Sequence, residues 1–381
     1  MKVPFYKHQL SGEAVRHIAP VLDSAILTSG QTGRDVEARI CACFGVPHAF
    51  LTNSWTNGAL ASLLALDISP GDEVIVPAMT FIATANVVEL LGAKPVFADV
   101  CPETLLMTPE TVKAVLTPRT RAVIPVHLYG QMVDIAGLRA VAGDEIHIIE
   151  DAAHCFEGDL HGDKPGAHSD AAIFSFYATK NITCGEGGAV ISRNAEFAEK
   201  LSATRLHGMS AGAVDRFRNE KYNHWDMVRM GVKANLPDLL AALLPEQIEA
   251  ADAKLEQREE IASRYEAAFG NDERLRLQKP VEGARHARHL FPVWVDPRMR
   301  DDFILALNSA GIGCTVNYRS VPTLTYYRGR YGYGPDHFPV SENWGQGTVS
   351  LPLYPTLEKK AQIRVIDCVR RELDQLTRKA A

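Results

Sequence analysis

Short apolar runs rich in Val, Ile and Ala recur through the first two thirds of the chain, at residues 49–52, 73–76, 94–100, 120–127, 145–150, 171–176 and 189–192. Runs of four to eight such residues, separated by stretches long enough for a crossover helix, predict a mostly parallel sheet covered on both faces. The stretches 56–66, 84–91, 109–116 and 134–141 have the composition and length of those helices. The fold class expected is therefore α/β, with ligands gathered where the strands end at their carboxyl edge. After about Asn235 the pattern changes to a long helical stretch at 237–269, an apolar run at 289–295, a helix at 300–310 and a closing helix from Leu357. This predicts a large domain over residues 1–249 and a smaller C-terminal α+β domain over 250–381. The Tyr/Arg/Gly-rich stretch 318–333 reads as a long loop, and no internal repeat is visible.

Composition narrows the partners. The 381 residues carry 40 basic and 46 acidic side chains, a formal net charge of −6 without long runs of one sign. That is no electrostatic footprint for nucleic acid, so a small-molecule partner is expected. Seven cysteines, odd in number and without a Cys-x-x-Cys pair, point to reduced thiols in a cytoplasm rather than to disulfides or structural zinc. No apolar run has the length of a signal peptide at Met1–His8 or of a membrane span elsewhere.

The chemistry centres on Lys180. It stands in a turn between Phe174-Ser175-Phe176-Tyr177-Ala178-Thr179 and Gly185-Glu186-Gly187-Gly188, one strand after Asp151, which ends the run Ile148-Ile149-Glu150. An amine that can form an imine with an aldehyde, paired with a carboxylate that can keep a ring nitrogen protonated, is what pyridoxal phosphate chemistry needs. Either residue alone reads more simply, as a solvated lysine or a helix N-cap. The segment Asn53-Ser54-Trp55-Thr56-Asn57-Gly58, between a strand and a helix, offers hydroxyl and backbone donors to a phosphate, and Ser175 offers another. Phe81 follows a strand, where it serves either as a flat apolar cover for a ring or as a core aromatic. No Gly-x-x-x-x-Gly-Lys-Ser/Thr loop is present. His161, His168, His286 and His289 form no metal set with carboxylates or cysteines and read as solvated or capping residues; Cys184 reads as a space-filling thiol.

Taken together, Glu150-Asp151-Ala152-Ala153-His154, Phe174 through Thr183, Gly185-Glu186-Gly187-Gly188, Gly71-Asp72-Glu73-Val74-Ile75-Val76-Pro77, Pro125-Val126-His127-Leu128-Tyr129-Gly130 and Ser350-Leu351-Pro352-Leu353-Tyr354-Pro355 resemble the DegT-type (DegT/DnrJ) nucleotide-sugar aminotransferases over nearly the whole chain. The resemblance implies a fold-type I aminotransferase, a homodimer with active sites at the subunit interface, using pyridoxal 5′-phosphate and L-glutamate as amino donor. It assigns Lys180 to the covalent link with the cofactor, Asp151 to the pyridine nitrogen, and Ser175, Thr56 and Asn57 to the phosphate. Phe81 would stack on the ring, His154 would lie near the phenolic oxygen, and Asn235 would reach the phosphate from the partner subunit. Two positions depart from the family pattern: Ala234 replaces an aromatic before Asn235, and Trp55 replaces a small residue before Thr56. Tyr177 with Asn181-Ile182-Thr183 resembles relatives that aminate carbon 4 of a keto-deoxy sugar nucleotide, with sugar-3-amination the near rival. Tyr318, Arg319 and Arg328 are candidates for the nucleoside and its diphosphate. A dehydrating relative would carry histidine at position 180, and a non-catalytic cofactor-binding regulator is the remaining alternative.

Overall fold

The computed structural model describes residues 1–210 and 224–380. Two helices, α1 (Val15–Leu22) and α2 (Gln31–Phe44), precede strand β1 (His48–Thr52). The chain then alternates through α3 (Trp55–Ala65), β2 (Glu73–Pro77), α4 (Ala83–Leu90), β3 (Lys94–Ala98), α5 (Pro109–Lys113), β4 (Thr120–Val123), α6 (Ile135–Ala142) and β5 (His147–Asp151). A short strand β6 (Asp159–Leu160) is followed by β7 (Ala171–Ser175), β8 (Gly188–Ser192) and α7 (Ala195–Thr204).

Seven of these strands form one sheet in the order β1-β8-β7-β5-β4-β2-β3, in which β8 alone runs against the others. Alternation along each strand sends side chains to two apolar layers. Val74, Val76, Ile173 and Val190 pack with Ala59, Leu63 and Val87 of the helices on one face. The other face divides in two: Phe174 and Ile191 pack with Val36 and Ile40 of α2, and Ile75, Val123 and Ile148 pack with Leu138 of α6. Helix starts are set by side-chain caps: Ser54 accepts from the Asn57 amide, Asp134 from Gly137 and Asn194 from Phe197. The sheet is therefore mostly parallel and covered on both faces, as the apolar runs predict. The expected run at 120–127 stops at Val123, where the chain turns through Pro125 toward the site.

Beyond α8 (Asp238–Ala241), α9 (Pro245–Glu249) and α10 (Ala251–Phe269) come β9 (Arg276–Leu277), β10 (Ala284–Arg285), β11 (Phe291–Trp294), α11 (Pro297–Ser309), α12 (Thr325–Tyr331), α13 (Pro339–Gly347), β12 (Thr348–Leu351) and α14 (Lys359–Ala380). The single helical stretch expected at 237–269 is thus three helices, the second starting at Pro245, which cannot donate to a preceding turn. Strands β12, β11 and β9 make a second, antiparallel sheet. Its core joins Ile261, Tyr265, Phe303, Val365 and Val369 with Val3 from the chain start.

The expected loop at 318–333 is instead ordered as a turn of 3₁₀ helix, Val321–Thr323, followed by α12. The aromatics that suggested a loop are anchors: Tyr327 meets Phe97 edge-on at 5.4 Å, and Tyr333 meets it at 5.8 Å. Among the described residues no helix is long and apolar enough to cross a membrane, and no group of His, Cys, Asp and Glu could hold a metal.

Candidate active site

Asp151 is the last residue of β5, and its carbonyl accepts from the His127 amide at 3.0 Å. Its carboxylate is buried. Oδ1 accepts from the Ala153 amide at 3.1 Å, and Oδ2 from the Thr84 hydroxyl at 3.0 Å. Because Thr84 spends its hydrogen there, the Thr80 hydroxyl 3.0 Å away donates to Thr84 in turn. Burial pushes the carboxyl up to about 6, against the pull of these donors and of the Lys180 cation.

Lys180 sits in the loop between β7 and β8, half-buried. The loop is closed at its base, where the Phe176 amide donates to Gly187 O at 2.8 Å and the Cys184 amide to Phe176 O at 3.1 Å. Gln247 of α9 clamps it from outside, accepting from the Thr183 amide at 3.1 Å and donating to Thr183 O at 2.7 Å. Burial draws the Lys180 amine down to about 8, opposed by the Asp151 charge. An amine so placed is a nucleophile and a proton carrier near neutral pH.

His154 follows β5. Its Nδ1 accepts from the Tyr129 amide at 3.2 Å, and burial next to Lys180 and His289 keeps the ring neutral, well below its usual pKa. The ring hydrogen therefore lies on Nε2, which donates to the Tyr318 hydroxyl at 3.2 Å. Tyr129 occupies the left-handed region, with φ 62° ahead of Gly130 at φ 107°. That turn lets one residue hold two histidines, because its carbonyl accepts from the His289 amide at 2.9 Å.

Thr56 and Asn57 open α3, where the first amides face the carboxyl edge of the sheet. The Asn57 side chain donates to Asn53 Oδ1 at 2.9 Å. Gly188 permits this turn to lie on β8, since a Cβ there would stand 2.7 Å from Phe174 O and 2.9 Å from the Trp55 amide. The Trp55 ring is buried in the core beside Ala59, so this departure from the family pattern fills the interior. Ser175 ends β7, and its Oγ lies 3.4 Å from the Tyr177 amide. Phe81 is 53% exposed and 5.9 Å from the Tyr318 ring. It is an open face, not a core aromatic.

Asn235 pairs with Thr52 across an isolated bridge and is buried; its Nδ2 donates to Thr28 at 2.7 Å and to Ser29 at 2.9 Å. Tyr318 reaches the site through His154, whereas Arg319 and Arg328 are exposed. His289, expected as a solvated or capping residue, is buried instead, 4.4 Å from the His154 ring. His289, Tyr129, Thr80 and Thr84 are among the site residues that motif reading missed; the motif containing Tyr129 was visible, but nothing in it said that its backbone would hold the His154 ring and the His289 amide. Cys184 is buried, its thiol pushed up to about 12, in keeping with space filling.

A family model described as the DegT/DnrJ/EryC1/StrS aminotransferase family matches residues 8–370. Among solved structures, S. venezuelae DesV, in complex with a ketimine intermediate, is 32% identical at a TM-score of 0.89, over 97% of this chain and 98% of that one. Spr1654 from Streptococcus pneumoniae, assigned as a sugar aminotransferase, matches in its PMP form at 27% identity and a TM-score of 0.91, over 98% and 99% of the two chains. Its PLP form matches at 26% and 0.90, with the same coverage.

Proposed function

This chain belongs to the DegT/DnrJ/EryC1/StrS aminotransferase family, and on that premise we propose that it moves an amino group from L-glutamate to a keto-deoxy sugar nucleotide, at carbon 4, with pyridoxal 5′-phosphate as carrier. The observation that carries the reading is the approach, at one sheet edge, of the half-buried Lys180 to the buried Asp151 carboxylate, near enough for each charge to favour the other.

The surrounding residues fit that cofactor. A carboxylate raised by burial is suited to a ring nitrogen whose positive charge restores its ionised form. The hydroxyl hydrogens of Thr56 and Ser175 have no acceptor among the described residues, and with the first amides of α3 they suit a phosphate. Phe81 offers a flat apolar face for the ring. Bound there, the group supplies a carbonyl that holds amines covalently and a ring that takes up electrons as a proton leaves the neighbouring carbon. Lys180 would anchor the group and, in its neutral form, take and return that proton. Asp151 would hold the charge at the ring nitrogen, and Thr80, Thr84 and the Ala153 amide orient Asp151. His154 turns its ring hydrogen toward Tyr318, whose own hydroxyl hydrogen stays free to donate into the site.

Carbon 4 rests on the Tyr177 and Asn181-Ile182-Thr183 resemblance. The proposed homodimer rests on the exposed apolar side chains of Met227, Val228 and Met230, with Asn235 acting across the interface. The seven cysteines are all free, which supports a reducing compartment, the cytoplasm. The test is to convert the protein to its aminated-cofactor form with glutamate and offer 4-keto and 3-keto sugar nucleotides in turn. Return of the cofactor absorbance with a 4-keto substrate supports the proposal; return only with 3-keto substrates overturns the choice of carbon, and a Lys180→Ala variant with full turnover overturns the whole reading.

A further inference from the structure

Asn181 engages both amide hydrogens and its carbonyl oxygen within the protein. Nδ2 donates to Glu157 Oε2 and to Ala287 O, each at 3.0 Å. Both partners can only accept, so the amide orientation is fixed by chemistry, and Oδ1 faces His289 Nδ1 at 3.1 Å. An amide oxygen accepts and never donates. His289 must therefore carry a hydrogen on Nδ1.

The charged and titratable groups around that ring are Lys180, Arg258, His286 and His154, with Glu157 behind Asn181. Burial and the cations among them hold the His289 pKa well below its usual value, so the ring is neutral and Nε2 is a bare lone pair. Nε2 has no hydrogen-bond partner among the described residues. Glu157 cannot drift away, because Arg258 Nη2 donates to its Oε1 at 2.7 Å and both side chains are buried. His289 and Lys180 line one cavity of about 120 Å³, whose other walls include the titratable Tyr6 and Tyr318, the polar Thr179 and Asn317, and the apolar Leu290 and Leu351. The other nearby imidazoles are no alternative acceptors, since His154 spends Nδ1 on the Tyr129 amide and His286 spends Nδ1 on the Arg288 amide.

We propose that Asn181 is a positioning residue that locks His289 as a fixed hydrogen-bond acceptor, and that His289 Nε2 receives the Lys180 amine whenever that lysine is not covalently engaged. The second half rests on the reading of Lys180 as the cofactor anchor. Its long flexible stem lets the amine turn into the cavity. On this view Asn181 does not touch the sugar; a residue that resembles a substrate marker acts on the lysine through one imidazole.

The first test reads the tautomer directly. Nitrogen NMR of the full chain with ¹⁵N-labelled histidine reads the His289 tautomer, the signal being assigned by its loss in His289→Gln. A neutral ring protonated on Nδ1 at pH 7 is expected in the native sequence, and a mixture of tautomers in Asn181→Leu; a native ring protonated on Nε2 overturns the lock. The second test follows the rate at which pyridoxal phosphate bonds the cofactor-free chain as a function of pH, which reports the pKa of the Lys180 amine. A neutral acceptor favours the ammonium form, so His289→Phe should shift that profile downward by about half a pH unit or more, the size of one ordinary hydrogen bond. His289→Gln, which keeps an acceptor oxygen, should recover most of the shift. A normal absorbance with a His289→Phe profile superimposed on the native one overturns the docking of Lys180 alone. No absorbance in the native chain overturns both the docking and Lys180 as the anchor.

Discussion

Asp151 illustrates how much one side chain depends on what surrounds it. With two donors on its oxygens and burial pressing the other way, the carboxylate is poised to take a cationic partner. Asp151→Asn keeps the size and loses the charge, so turnover should fall by about 100-fold or more, the scale of one lost electrostatic partner, while Lys180 still bonds the cofactor; stopped-flow absorbance separates the two. The same pair predicts a pH signature in the cofactor-free chain. The folded Lys180 value, about 8, lies below its unfolded one, so its stabilising contribution is complete above about 10.4 and is lost as pH falls through 8. The folded Asp151 value, about 6, lies above its unfolded one, so its contribution is complete below about 3.9 and is lost as pH rises through 6. Relative to a Lys180→Met, Asp151→Asn double variant, the melting temperature should fall between roughly pH 4 and 6 and climb between roughly pH 8 and 10, by scanning calorimetry. A constant difference across both windows would show that the two groups keep their ordinary values.

At the scale of elements, the β8 strand and the α3 turn are fitted to each other through one missing side chain. A Cβ on Gly188 would meet Phe174 O, Thr52 Oγ1 and the Trp55 amide, all within 2.9 Å and two of them backbone. Gly188→Ala should therefore cost about 1–3 kcal/mol in denaturant unfolding, the usual range for overpacking, and should also weaken phosphate binding, because the strand and the α3 amides move apart together. Unchanged stability would mean that β8 gives way more easily than its two-sided burial suggests. The strands and crossover helices of the large sheet were legible in advance, because a strand buried on both faces needs a continuous apolar run and each crossover needs a fixed length. The segment 318–333 was not. Its tyrosines and arginines look solvated in sequence, and only Phe97 of β3 makes Tyr327 a core residue and draws the half-buried Tyr333 against that core.

Across the whole molecule, the long helix α10 is tied to the active-site edge by the buried Arg258–Glu157 pair at 2.7 Å. Arg258→Met should destabilise the protein by about 3–5 kcal/mol, since it strands a buried carboxylate, and should do so more strongly than removal of an exposed pair such as Lys279–Glu103. Assembly is the other global consequence. Met227, Val228 and Met230 are 55%, 58% and 69% exposed, and a Met230→Asp variant should sediment as a lighter species than the native chain if they form the subunit interface. By itself the sequence determined the fold class and singled out Lys180, Asp151, Thr56 and Ser175 as candidates for the cofactor, because local pattern and spacing along the chain carry that information. It could not determine which atoms those residues face. Asn181 is separated from Glu157 by two strands and from His289 by more than a hundred residues, and only folding brings the three within hydrogen-bonding distance. The tertiary structure alone decided that His289 is buried, which nitrogen holds its hydrogen, and that Tyr129 supports the His154 ring and the His289 backbone, since hydrogen bonds between distant segments leave no periodic trace in the sequence.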